Sequence, residues 1–363
     1  MIVSAFHYWM AAGLVLRGRE LIASQMLSRI CCLTRSYMAK RLCAAVHAFV
    51  LGAFALAAPA WAVEGGTSFY LLGSKTSMAG FVPPPGFYGV LQNYYYSGSS
   101  DIDFETAGLR IEGGIEADAY IALPTAMWVM DQDILGGNLA FTLTTPVGGK
   151  QMQAGAIIDL IGPALTEFNT ERDNWAFGDP VLGSTLGWHS GNLHYSIGAL
   201  VNVPLGQWEL GNPVNIGFNR WVIDTTAAVT YLNPQTKIEL SGAAGLTFNF
   251  ENPDTDYKSG TELHVEGAAM FHPSHTFSFG LNGYALKQIT GDSGSGAVLG
   301  GFEGQVFALG PAIDFTFHVG QRPVVTNLRY FQEFSVENRL KGQAGFLNFV
   351  VPLGALPTGQ AAH

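Results

Sequence analysis

From Ile238 to Phe250 the chain alternates with a period of two. One parity reads Ile238, Leu240, Gly242, Ala244, Leu246, Phe248, Phe250, and the other Glu239, Ser241, Ala243, Gly245, Thr247, Asn249. A helix would return its apolar residues at three and four, so this pattern specifies a strand with one apolar and one polar face. The rhythm recurs. Leu263, Val265, Gly267, Ala269 and Phe271 alternate with Glu262, His264, Glu266, Ala268 and Met270, and Ile313, Phe315, Phe317 and Val319 enclose Asp314, Thr316 and His318. Several such segments exceed the roughly 9–11 residues that a tilted strand needs to cross a bilayer.

The N-terminal region states where such strands are used. Lys40 and Arg41 precede a mostly apolar run from Leu42 to Ala58, and Ala60-Trp61-Ala62 follows with small residues at the two positions a signal peptidase reads. Residues 38–62 therefore read as a secretory signal, cleaved after Ala62, and the run is shorter than the roughly 20 residues of a spanning helix. A signal sits at the start of a chain, so Met38 is the expected start and residues 1–37 an upstream mis-start. All three cysteines (Cys31, Cys32, Cys43) precede Val63, which excludes disulfides, thiolate metal sites and a cysteine nucleophile beyond it. From Val63 onward 12 Lys and Arg face 27 Asp and Glu, a net charge of about −15 that argues against a nucleic-acid partner.

After Ala62 no apolar stretch reaches helical membrane length. Apolar residues dispersed by alternation in an exported chain face lipid from a closed barrel. Twelve strands are expected, at roughly 86–97, 115–130, 137–147, 177–189, 192–205, 220–232, 236–250, 259–272, 275–290, 302–319, 323–337 and 344–353. Residues 148–176 are assigned to an external loop, because one extra strand at 150–161 would break the even count. The fold class is thus all-β, a transmembrane antiparallel β-barrel spanning 86–353, with an N-terminal segment 63–85 and a tail 354–363. A soluble two-sheet sandwich also alternates. Against it stand the strand lengths and the aromatic residues near strand ends, among them Tyr94, Tyr95, Tyr96, Trp128, Trp188, Trp221 and Tyr231, which suit interfacial girdles.

Five stretches together resemble a family of bacterial outer-membrane proteins named for the MetA pathway of phenol degradation. They are EGGTSFYLLG from Glu64, PPPGFYGVLQNYYY from Pro83, ENPDTDYKSGTELH from Glu251, TGDSGSGAVLGGFEG from Thr290 and FSVENRLKGQAGFL from Phe334. The resemblance spans almost the whole chain after the signal. It implies a transmembrane barrel associated with uptake of aromatic or hydrophobic compounds, in contact with outer-membrane lipid, and it implies no phenol chemistry. The chain departs from the usual pattern in continuing past Leu353 instead of ending on its last strand.

The polar parity assigns Glu116, Asp118, Asp224, Lys237, Glu239, Glu262, His264, Glu266, Asp314, His318, Arg329, Glu333 and Glu337 to the lumen. Acidic residues dominate, and two readings follow. Water reaching these groups makes a lining that favours cations or neutral solutes. Charges pairing across the barrel instead make a closed interior. A twelve-strand barrel lies between filled eight-strand cases and water-filled sixteen-strand porins, so both stay open. The segment Glu64–Pro85 is Gly-rich and ends in three prolines that cannot join a sheet. It is either a lumen plug or a free tail, and Phe69-Tyr70-Leu71-Leu72 tilts the choice toward insertion.

No catalytic, cofactor or metal site is expected. Gly291-Asp292-Ser293-Gly294 matches a protease nucleophile loop in letters only, since Asp, Ser and Gly are turn formers in a Gly-rich loop. Glu251, Asp254 and Asp256 start like a calcium loop, but Lys258 follows where an oxygen is needed. No histidine shares an outward face with a serine, as a lipid-acting barrel enzyme would require. The expected role is a channel for small hydrophobic or aromatic solutes. The alternatives are a structural or adhesive barrel whose loops bind partners, and a lipid-acting enzyme. N-terminal sequencing of protein extracted from membranes should begin at Val63; an intact segment 1–62 overturns the signal reading.

Overall fold

The computed structural model describes Glu64 and residues 67–106, 109–160, 165–297 and 300–354. The expected mis-start 1–37, the signal 38–62 and residues 355–363 of the expected tail lie outside the described residues. Fourteen strands follow in chain order: β1 (Gly86–Thr106), β2 (Leu109–Ile134), β3 (Gly137–Thr144), β4 (Val147–Leu160), β5 (Leu165–Phe177), β6 (Val181–Ser190), β7 (Leu193–Asn202), β8 (Val222–Asn233), β9 (Ile238–Asn249), β10 (Glu262–Ser274), β11 (Phe277–Gln288), β12 (Gln305–Val319), β13 (Arg322–Glu337) and β14 (Lys341–Pro352).

Twelve of them close a barrel. Neighbours run from β1 through β14 and down in order to β6, then to β3 and β2, and β2 returns to β1. Closure is antiparallel on both sides of β1, with Tyr94 opposite Phe346 of β14 and opposite Ile121 of β2. The remaining two strands correct one expectation. Residues 148–176 are not a loop but the hairpin β4–β5. β2 has 26 residues and β3 only eight, so β3 covers β2 only along its lower part, from Thr125 to Ile134. Above that, β4 pairs with β2 from Leu109 to Ala122, and β5 pairs with β4. A bare strand edge is thereby covered. A hairpin adds two strands, so both ends of the barrel chain still emerge on the same side.

One end carries tight turns, at 190–193, 233–238, 274–277 and 319–322, and the other carries the connections 203–221, 250–261 and 289–304. Gly191 has φ 58° with open space around its Cα, so it is there for the turn alone. The outer wall is apolar between two aromatic belts. Toward the tight turns Trp128 stacks between Phe87 and Phe141, Trp188 on Tyr195, and Phe315 on Phe317. Toward the long loops Tyr120 lies between Tyr95 and Trp175, and Phe307 stacks on Phe334. Two such belts bordering an apolar band are the mark of a transmembrane barrel. Between them Leu240, Val265, Leu281 and Leu309 point outward and are exposed, while their strand neighbours Glu239, Glu266 and Asn282 are buried.

Asn282 also repairs the ladder. Pro311 of β12 has no N–H to give, and the Asn282 amide donates to the carbonyl oxygens of Gly310 (2.8 Å) and Tyr330 (3.2 Å) beside it. Leu281, 56% exposed near the middle of β11, tests the outward register. Leu281→Arg should cost ~2–4 kcal/mol in equilibrium folding into bilayers, as charges at the midplane of such walls do. Gln235→Arg, in the β8–β9 turn, should cost ~0–1 kcal/mol, the value near an interface. Equal costs would contradict the register.

Candidate functional site in the barrel interior

Residues 67–85 form no helix and no strand, and their polar atoms meet the inward face of the wall. β9 and β10 supply carboxylates at alternate positions, and these accept from the segment. Ser68 donates its hydroxyl to Glu262 and Tyr70 donates its phenol to Glu266. Glu266 also accepts the backbone N–H of Gly73 (2.7 Å) and of Lys75 (3.2 Å). Glu239 accepts the N–H of Met78 at 2.7 Å, with Ser241 Oγ and His272 Nε2 on its remaining sites. Gly80 N–H donates to Thr230 Oγ1 of β8 at 3.0 Å.

The carbonyls are held from β13, three strands round the ring from β10. Arg329 of β13 donates through Nη1 to Gly73 O (3.0 Å) and Ser74 O (2.7 Å), and through Nη2 to Ser77 Oγ (3.3 Å). Gly73 therefore has its N–H on Glu266 and its carbonyl on Arg329. Its φ is 88°, and a Cβ there would stand 2.5 Å from the Phe331 ring. Both the backbone and the space demand glycine.

Around this spine the interior divides chemically. One side, on β8–β10, is polar. Asp224 accepts from Thr226, Thr247 and His264, and Tyr70 stacks on His264 with centroids 3.7 Å apart. The other side is apolar, with Tyr284, Leu286, Phe331 and Phe346 packed against Leu71 and Leu72 of the segment. Glu333 sits within that apolar half, capped by the Tyr284 and Tyr96 hydroxyls and by Gly342 N–H.

Of the thirteen residues assigned to the lumen, Asp224, Glu239, Glu262, His264, Glu266, Arg329 and Glu333 are buried and hydrogen-bonded as described. Asp314 is half-buried and accepts from Asn327. The remaining five are exposed. Lys237 lies in the β8–β9 turn with φ 59°, and its Nζ reaches Pro273 O. His318 and Glu337 lie at strand ends. Glu116 and Asp118 are corrections of face: they share the parity of Trp128, while Ile115 and Ile121 point inward. Both acids lie along the part of β2 that pairs with β4.

Residues not singled out from sequence complete the site. Arg339 bonds Ser68 Oγ at 2.9 Å and lies 3.6 Å from Glu262. Arg220, buried just before β8, pairs with Glu64 at 3.0 Å, and Glu64 also accepts from Asn252 and Thr255 of the 250–261 loop. Burial lowers the Arg220 pKa, while Glu64 pulls it back upward. Lys150 of β4 points inward and donates to Asn215 O at 2.8 Å. Two cavities open at the long-loop end. One, of about 280 Å³, lies among Lys150, Trp208, Phe218, Arg220 and Glu64. The other, of about 100 Å³, lies over Leu71 and Leu72 among Tyr94, Tyr96 and Tyr284. Lys150, Thr67 and Pro213 belong to both walls.

The model of the family described as "Putative MetA-pathway of phenol degradation" matches residues 95–349. Among curated protein sequences none matches the chain. Among solved structures, an outer membrane channel from Pseudomonas putida F1 is similar at 15% identity and TM-score 0.53, covering 77% of this chain and 98% of that one. That likeness is one of fold. Looser similarity extends to the CymD monoaromatic hydrocarbon channel (8% identity, TM-score 0.37, 75% of this chain and 89% of that one). It extends also to the translocator domain of the autotransporter NalP from Neisseria meningitidis (11%, 0.37, 76% and 91%).

Hydrogen bonds to a charged partner contribute about 1.5–3 kcal/mol each. Glu266→Ala removes the acceptor for Tyr70, Gly73 and Lys75 together, so hydrogen exchange at residues 70–78 should accelerate at least about tenfold. Unchanged protection there would show that the segment is held by other contacts.

Proposed function

The chain belongs to the MetA-pathway of phenol degradation family, and from that premise and the interior geometry we propose that it is an outer-membrane channel for small hydrophobic or aromatic solutes. The observation that carries the reading is the tyrosine-walled cavity over Leu71 and Leu72, which adjoins a larger one at the long-loop end. Its wall combines aromatic and aliphatic side chains with polar groups such as Lys150, Glu333 and Arg339, and a small organic ligand is held by such a combination. The similar fold of a solved outer membrane channel and the apolar outer band support a site of action in outer-membrane lipid. The signal at 38–62, cleaved near Ala62, is the proposed route there.

In this reading residues 67–82 are the plug. They occupy the space that a twelve-strand wall leaves inside it. Solute enters from the long-loop end, rests against Tyr94, Tyr96 and Tyr284, and proceeds when the plug shifts from Glu239, Glu266 and Arg329. The interior performs no bond chemistry in this scheme; it sorts solutes by size and polarity.

The experiment is flux into liposomes carrying the protein, with benzyl alcohol as the probe. Uptake above that of empty liposomes is expected, and its absence rejects a channel. A chain lacking residues 64–82 should conduct in planar bilayers well above the intact protein. Its reversal potential under a salt gradient should show cation preference, because the freed Glu239, Glu262 and Glu266 would then face water. Equal conductance with and without the segment removes its role as plug.

A further inference from the structure

The two cavities at the long-loop end share Lys150, and its charge has no carboxylate within 4 Å among the described residues. Its Nζ donates to a neutral carbonyl, Asn215 O at 2.8 Å, and lies 3.4 Å from the Thr67 hydroxyl. Of the nearby acids, Asp118 lies on the outer face and the other three are engaged elsewhere. Glu64 accepts from Arg220, Asn252 and Thr255. Glu333 is capped by two tyrosine hydroxyls and Gly342 N–H. Glu262 accepts from Ser68 and lies 3.6 Å from Arg339. A largely buried ammonium whose partners are neutral oxygens is costly, and an anion entering the cavity would relieve it.

The walls define the rest of that anion. Trp208 and Phe218 line the larger space and Tyr94, Tyr96 and Tyr284 the smaller one. A volume of about 280 Å³ holds a single ring with one substituent. Glu64 and Glu333 stand on the walls, so a second negative charge would be repelled. We propose that Lys150 anchors the carboxylate of a small aromatic monoacid at the channel mouth, with the ring against the aromatic wall. This rests on the channel reading and names a solute class for it. It also inverts the selectivity suggested by the acids deeper in the barrel, because those acids are occupied by residues 68–78.

The test uses full-length protein refolded in detergent and two probes of nearly equal shape, benzoate and neutral benzamide, in titration calorimetry. Benzoate should bind at least about tenfold more tightly, the factor expected for one buried charge-assisted pair. Lys150→Met keeps the stem and removes the charge, and should bring the two affinities together. Lys150→Arg should retain the preference. Benzoate binding no tighter than benzamide in the unaltered protein overturns the proposal without any variant, as does a preference that survives in Lys150→Met. Benzyl alcohol flux through the unaltered protein separates this from the parent reading. Flux without benzoate preference rejects the Lys150 site and keeps the channel. Lys150-dependent preference without flux keeps the site and rejects the channel.

Discussion

A strand that faces lipid has no water to satisfy its N–H and C=O groups, so both edges of every wall strand must find a partner. β1 meets this by pairing with β2 on one side and β14 on the other. Beyond the lipid band water can serve a strand edge, and pairing there extends the wall without being forced by lipid. β2 continues well past the end of β3, and β4 covers the edge left bare. Where a proline interrupts β12, the Asn282 side chain takes over the missing donor. Ring closure and the Asn282 repair answer that demand within the lipid band, whereas the β4–β5 hairpin lengthens the wall beyond it and leaves the far edge of β5 to water.

A closed cylinder of twelve strands is wider than its own side chains fill, and the solution lies in the main chain of residues 67–82. A backbone offers donors and acceptors in equal number. The wall supplies the complement: carboxylates on β9 and β10 for the N–H groups, and the Arg329 guanidinium on β13 for the carbonyls. Gly73 is where the two sets meet, and it is the residue on which both the φ and the Phe331 contact leave no room for a side chain. Held by hydrogen bonds more than by a continuous apolar seam, such a segment has local stability that depends on a few groups, as moving elements require.

The barrel was legible because a lipid-facing wall forces a strict code: outward apolar, inward polar, as in Ile238–Phe250. The code holds only where there is lipid outside. Glu116 and Asp118 lie beyond that band, where the outer face meets water, so polarity there no longer marks the lumen. A strand at 150–161 is visible in the sequence but breaks the even count by itself; its partner β5 (Leu165–Phe177), which restores the count, is the strand the pattern does not reveal. Gln151 and Glu171 bond to each other on the water-facing side, and the apolar signal of a membrane strand is absent. The grip on the N-terminal segment was hidden for a different reason. Ser68 and Glu262, or Gly73 and Arg329, are separated by about two hundred residues or more, and nothing local in either stretch announces the other. Phe69-Tyr70-Leu71-Leu72 was visible as an apolar run, but only the fold assigns Tyr70 to His264 and Leu71 to the Phe331 cluster.

The distribution of charge then acquires a logic in depth. Counted along the sequence, the interior is acidic and should hold cations. Counted by partner, the acids at Glu239, Glu262 and Glu266 are already serving N–H and O–H donors of the segment, and Asp224 serves His264 and two threonines. A carboxylate that accepts several short hydrogen bonds projects little attraction to a solute arriving from the loops, because its field is met by fixed dipoles. What the mouth presents instead is Lys150, whose partners are neutral. The segment therefore does more than fill space. In the proposed channel the segment, by occupying the acids, would decide which charges a solute encounters, leaving Lys150 as the ammonium with neutral partners until the segment is displaced.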